Sequence, residues 1–453
     1  MAAELAASER LNYLSKKQRA VSSRHSRQII NSQNGTDFTL GQTTVIQIAG
    51  GQAATYWDFQ NSYLKFEVEN TTTASAGGTA ADKQDINITS AYDLIQRIEI
   101  LADGQTLSNI EEYGALVRQY QRVEVGSNWA DHVGGVLTGC KNISSSAALS
   151  TYQKLSKDDK RTFCLPLVLT PLYNVNKYIP LIGRSNLQIR ITWQSHEKAL
   201  TVLSVGEAND STVKLNGCAM VCSMVRLSGE ANAMVLQNTG GIFELVTSDF
   251  RLARGTIATS TQKSLSINCG FAFSSLDRVS FSFYSDGANA KTVISSLACQ
   301  YYGDLINYAL SINGEEYPRK RVDVSGHDST GATVGNPAES LAETIIAHRA
   351  LGDFTHNSQI GSENWCANQN DVDVNCSKSC TVYNLDTEAM QPHSGETLYS
   401  GISTIGATTH LLADIEPGTL SNADKNYTVL IFANFTTALT LDMEGTQTWI
   451  VSV

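Results

Sequence analysis

Tyr92-Asp93-Leu94-Ile95-Gln96-Arg97-Ile98-Glu99-Ile100-Leu101-Ala102-Asp103-Gly104 returns, with changed residues, as Tyr302-Gly303-Asp304-Leu305-Ile306-Asn307-Tyr308-Ala309-Leu310-Ser311-Ile312-Asn313-Gly314. In each copy Asp-Leu-Ile opens a run with alternating apolar positions, Ile98 and Ile100 in one and Leu310 and Ile312 in the other, which is the period of a strand with one buried face. Each run ends in Asp-Gly or Asn-Gly, the pairs that tolerate the positive φ angles of a type I′ turn, whose twist matches that of the strands it joins. Asp93 and Asp304 stand 211 positions apart in a chain of 453, so the repeat divides the chain into two units of similar size.

Helical spacing follows each turn: Ile110, Tyr113, Ala115, Leu116, Val117 and Tyr120 after the first, and Leu341, Ile345, Ile346 and Leu351 after the second, where Pro337 predicts the helix start. Further strands are expected at 43–48, 62–69, 163–169, 187–193 and 213–227 in the first half, and at 243–247, 279–284, 428–435 and 446–453 in the second. Leu187, Ile189, Ile191 and Trp193 alternate with Gln188, Arg190 and Thr192, as a sheet with one wet face demands. The reading is an all-β chain: a basic arm over 1–30, a first β-sandwich over 31–235 and a second over 236–453, meeting in the small-residue stretch Gly229 to Gly241.

With 42% hydrophobic and 17% charged residues, the chain has apolar side chains for large cores and too little charge for disorder. Its net charge of −11 is unevenly spread. In residues 1–28, Arg10, Lys16, Lys17, Arg19, Arg24 and Arg27 face only Glu4 and Glu9, a net +4 that leaves −15 for the rest. An acidic body repels phosphates, so contact with DNA or an inner membrane falls to this arm, expected to be helical or flexible. No secretory signal and no 18-residue apolar run is read, so the expectation is a protein made soluble inside a cell.

The chemistry-bearing motifs are near-misses. Gly134 and Gly139 have P-loop spacing, but Cys140 stands where the lysine belongs. Asp371, Asp373 and Asn375 begin like a calcium loop, but Cys376 replaces its glycine and Val382 its last carboxylate. Cys218 and Cys222 would lie about 13 Å apart along a strand, too far to share a zinc, and Cys366, Cys376 and Cys380 have no fourth ligand spaced with them. Nine cysteines without regular spacing read as reduced thiols, and the Asn-x-Ser/Thr sequons, Asn70 among them, as chance. The eight histidines form no metal-binding pair, and no nucleophile elbow is present. No catalytic residue, cofactor or metal site is therefore assigned.

Asp103-Gly104-Gln105 followed by Glu112-Tyr113-Gly114 and a short helix resembles a segment of the double jelly-roll major capsid proteins of adenovirus-like, giant-virus, virophage and polinton-like DNA viruses. The chain's length and short connections are most similar to the small virophage and polinton-like members. The resemblance implies two tandem jelly rolls, a homotrimer that forms a pseudo-hexagonal capsomer, and an icosahedral shell around viral DNA with penton and minor capsid proteins as partners. It also implies a place in the virion and no enzymatic activity. Read without it, the residues leave open a two-domain binding module of lectin or adhesin type and a cupin-type enzyme.

Overall fold

The computed structural model describes residues 22–72, 86–88, 90–139, 154–202, 212–258, 262–286, 300, 305–324, 338–353, 355–361, 365, 381–388, 401–415, 426–443 and 448–452. The first half contains β1 (Ser23–Asn31), β2 (Asp37–Thr39), β3 (Thr43–Ile48), β4 (Thr55–Asn70), β5 (Ile95–Ala102), β6 (Gln105–Glu111), α1 (Tyr113–Glu124), β7 (Lys160–Leu165), β8 (Leu187–Trp193) and β9 (Val213–Leu227). After the helix α2 (Gly229–Thr239) come β10 (Ile242–Ala258), β11 (Ser264–Asn268), β12 (Leu276–Asp286), β13 (Leu305–Ile312), β14 (Glu315–Asp323), α3 (Ala338–Ala347), β15 (Tyr383–Asp386), β16 (Thr409–Ile415), β17 (Asn426–Asp442) and β18 (Trp449–Ser452).

Each half is a sandwich of two antiparallel sheets. In the first, β9 lies between β4 and the pair β1 and β2, with β7 on the far side of β4; the facing sheet runs β3-β8-β5-β6. In the second, the orders are β10-β17-β12-β15, with β18 also on β17, and β11-β16-β13-β14. If β1 and β2 count as one interrupted strand, both halves connect eight strands in the same order, the Greek-key arrangement of a jelly roll.

The repeat explains the equivalence. Asp103-Gly104 and Asn313-Gly314 both join the fourth strand to the fifth, with φ of 46° and 90° in one and 52° and 87° in the other. Asp103 Oδ1 accepts the Asn186 N–H at 3.0 Å, and Asn313 Oδ1 accepts the Thr408 N–H at 3.0 Å. Each acceptor thus pins the entry to the seventh strand, β8 or β16. A helix follows the fifth strand in both halves, although Ile110 belongs to β6 and Leu351 lies past the end of α3. The predicted alternation over 187–193 gives β8 four fully buried apolar side chains, each worth about 1.5–3 kcal/mol of transfer free energy.

Two features differ from the sequence reading. Ser23–Asn31 is not the end of a helical or flexible arm but a strand, paired over its whole length with β9. Seven of its nine residues are polar and eight are exposed, and its two apolar residues, Ile29 and Ile30, are adjacent, so no alternation betrays it. The small-residue stretch at the junction is a helix, opened by Ser228 Oγ accepting the Ala231 N–H and closed by Gly240 in the left-handed conformation.

Candidate functional site: the inter-barrel seam and the exposed surfaces

Among the described residues, the most elaborate constellation of buried polar and charged side chains is the seam between the two barrels. At its centre is α1, whose residues from Tyr113 to Val123 are all buried. Gly114 makes this possible, because a Cβ there would stand 2.6 Å from the Tyr92 carbonyl oxygen and 2.9 Å from the Asp93 Cα. Asp93 and Arg118 then pair in the interior and hold the helix against the turn before β5.

The other side of α1 meets the second barrel. Tyr120 packs edge-on against Phe250 with ring centroids 5.5 Å apart, and the Arg278 guanidinium lies 4.8 Å from the Tyr120 ring. Arg278 donates to the Ala347 carbonyl at 2.7 Å and to the Tyr120 hydroxyl. His348 donates from Nδ1 to Glu124 Oε1 at 2.8 Å, and His356 donates to the Val123 carbonyl at 2.8 Å. Gln359 accepts from Arg122 at 2.7 Å and donates to the Gln121 carbonyl at 3.3 Å, so the last turn of α1 is capped by second-barrel groups.

Beside α1, Ser108 on β6 donates to Asp249 on β10 at 2.9 Å, and Thr247 donates to the Pro171 carbonyl at 2.8 Å. The apolar core is continuous across the seam: the cluster holding Trp57, Phe66 and Trp193 also includes Phe243, Phe250, Phe432 and Leu441. The barrels are therefore packed as one body through a shared apolar core.

Burial sets the electrostatics. It pushes the Asp249 carboxyl up to about 7 despite the bonds from Phe250 N and Ser108. Burial, with Arg278 nearby, holds the His348 imidazole down at about 4. The Tyr120 hydroxyl is raised to about 12 by burial, against the opposing charge of Arg278. The sequence marks Tyr120 only as part of a helix's apolar face and gives Asp249 and His348 no role, since their partners Arg278, Ser108 and Glu124 lie more than a hundred positions away.

Of the arm residues expected to meet phosphates, Arg24 and Arg27 lie exposed on β1, with the Arg27 guanidinium 5.9 Å from the Tyr63 ring. Arg10, Lys16, Lys17 and Arg19 lie outside the described residues. So do the Asp371, Asp373 and Asn375 near-miss and Cys366, Cys376 and Cys380. Cys218 and Cys222 are buried in the core with thiols pushed up to about 12, and Asn70 is fully buried. Among the described residues no three His, Cys, Asp or Glu side chains converge as a metal site, and no helix is long and apolar enough to cross a membrane.

Neither a protein-family model nor a curated protein sequence matches this chain. Its shape does match solved structures. It is similar to a chain of the PBCV-1 virus capsid in a quasi-atomic model, with a TM-score of 0.60 and 12% identity over 97% of this chain and 99% of that one. It is similar to a chain of the Sputnik virophage, with a TM-score of 0.56 and 10% identity over 100% and 93%. It is also similar to the mavirus major capsid protein, with a TM-score of 0.53 and 10% identity over 100% and 96%. The eight-strand order found twice, and this likeness over nearly the whole of each chain, give the protein the double jelly-roll fold of these viral proteins.

Proposed function

We propose that this chain is a structural, non-enzymatic major capsid protein: three copies form a pseudo-hexagonal capsomer, and capsomers tile an icosahedral shell around viral DNA. The observation that carries the reading is the pair of like-ordered jelly rolls locked by a buried seam, which makes each chain a rigid two-barrel block. Three such blocks around an axis give a six-barrel outline, and a hexagonal outline tiles a surface from one kind of part. The full-length likeness to the PBCV-1 capsid chain and the mavirus major capsid protein supports the same role.

Within this reading, the first barrel takes in β1 and so runs from 23 to 235 instead of starting at 31, the second spans 236–453, and the residues before 23 carry the rest of the basic arm. Arg10, Lys16, Lys17, Arg19 and Arg24 face the particle interior, where the arm's basic charge meets the phosphates of DNA or of an inner membrane, while Arg27 stands on the other face of β1 beside Tyr63. Penton and minor capsid proteins complete the vertices and joints. Mass measurement in solution, with electron microscopy of the purified protein, tests the proposal. Trimers and hexagonal tiles or shells are expected; a monomer that forms neither across salt and concentration overturns it.

A further inference from the structure

The edges of the sheets can be accounted for strand by strand, and one is left over among the described residues. Free edges invite pairing with other chains, and proteins blunt them by shortness, proline, charge or cover. β14 is blunted by Pro318, Arg319 and Lys320. β6 and β10 cover each other across the seam, where Arg254 on β10 pairs with Glu111 on β6 at 3.3 Å. β15 has four residues and α3 packed beside it, with Thr344 donating to the Val382 carbonyl. β7, which among the described residues pairs only with β4, has six residues and opens on Lys160 and Arg161; β2 has three residues, β11 five and β18 four. β3 has the Ser32–Gly35 link beside it, where the Gln33 N–H reaches the Val45 carbonyl.

β1 is different. It runs nine residues without proline, and eight of the nine are exposed. The Ser32 N–H donates to the Cys218 carbonyl and the Ser22 carbonyl accepts from Ser228, so even-numbered backbone groups turn toward β9. By strand alternation His25, Arg27 and Ile29 turn their N–H and C=O groups outward. Their side chains share one face of the sheet: His25 bonds Ser223 at 2.7 Å, Arg27 lies by Tyr63, and Ile29 is 65% exposed.

A second copy of this chain does not fit the edge. Its other described edges are covered, short or blunted, and full-length pairing of two β1 strands is centred on Arg27, setting like charges opposite each other. We propose that β1 is a docking edge for strand addition by a different protein, through an extended segment with an apolar residue followed two and four positions later by carboxylates. In antiparallel addition that spacing sets the apolar residue against Ile29 and the carboxylates against Arg27 and His25. The proposal does not depend on the shell-forming role.

The test uses the full-length protein and a nine-residue synthetic peptide of threonines with one valine followed two and four positions later by glutamate. A scrambled peptide and one with lysine for glutamate serve as controls. The glutamate peptide is expected to slow amide exchange at His25, Arg27 and Ile29 about tenfold while leaving Ser26 and Gln28 unchanged. Ile29→Pro removes an outward N–H and abolishes binding; Arg27→Glu weakens the glutamate peptide, strengthens the lysine peptide and carries the test alone if the proline variant does not fold. Unchanged exchange at the three amides, equal binding of the scramble, or indifference to Arg27→Glu overturns the proposal. A DNA duplex that protects these amides while the peptide does not would assign the edge to phosphate and overturn it as well.

Discussion

Arg118, midway along α1, donates from Nε to Asp93 Oδ1 at 3.1 Å and from Nη2 to Oδ2, and the pair is closed off from water with side chains 4% and 0% exposed. Removing one partner leaves a charge buried in a low-dielectric site. Arg118→Met is expected to cost about 3–5 kcal/mol in urea unfolding, and Arg118→Met with Asp93→Leu to recover much of that loss. A double variant no more stable than the single one would mean that other groups hold Arg118 and Asp93 in place.

The seam carries two titrations of opposite sign. Between about pH 4 and 6.5 the unfolded chain binds a proton at His348 that the folded chain refuses, so that stability is complete above 6.5 and is lost as pH falls through 4. Asp249 has its pKa raised from 3.8 to about 7, so its contribution is complete below 3.8 and is lost as pH rises through 7. The two oppose each other in the wild type. Melting curves should therefore show Asp249→Asn gaining stability from pH 4 to 6.5, and His348→Gln losing it from pH 4 to 7, each by about 1–3 kcal/mol. Parallel curves for both variants would refute the assignment.

Gly114 and Gly104 should respond differently to substitution. Gly104→Ala places a Cβ in open space and costs only the positive φ, about 1 kcal/mol. Gly114→Ala drives a Cβ into the backbone of Tyr92 and Asp93, so α1 must lift off its turn, with an expected loss of about 2–4 kcal/mol. Denaturant midpoints of the two variants decide the order.

Because Ser23–Asn31 is part of a sheet, the arm should be trimmed before it. Deleting residues 2–22 should leave the trimer mass intact and reduce shell yield, while deleting 2–31 should also lower the melting temperature. Loss of the trimer on the shorter deletion would make the arm a clamp between subunits.

A chelator should leave the melting temperature unchanged, and elemental analysis should find no stoichiometric zinc. Cys218, Cys222 and Cys269, with thiols raised to about 12 by burial, should resist alkylation until the chain unfolds. Mass-spectrometric mapping of labelled cysteines tests this directly.

The turn residues Asp103-Gly104 and Asn313-Gly314, the helices after them and strands such as 187–193 were legible because their signals are local: a positive-φ pair, a 3.6-residue period, a two-residue alternation. β3 and β9 match the expected 43–48 and 213–227 at both ends. β1 was missed because an edge strand wet on both faces needs no apolar alternation; its pairing is dictated by β9, almost two hundred residues away. The α2 connector was missed because its many small residues read as a link, although Ser228 and Gly240 mark its ends. The seam was not legible at all: Asp249, Arg278, His348 and Gln359 look like ordinary surface residues until the second barrel closes on α1.

That closure also sets a timetable for synthesis. Glu124 ends α1, yet its helix meets groups as far along the chain as His348 and Gln359, more than two hundred residues downstream. At ribosomal speeds of about 5–20 residues per second, the first barrel spends roughly 10–50 seconds with this helix lacking its final cover. Nascent chains crowded on one messenger would hold such surfaces side by side, so the step most exposed to error is the wait of each half for its own partner, before any chain meets another.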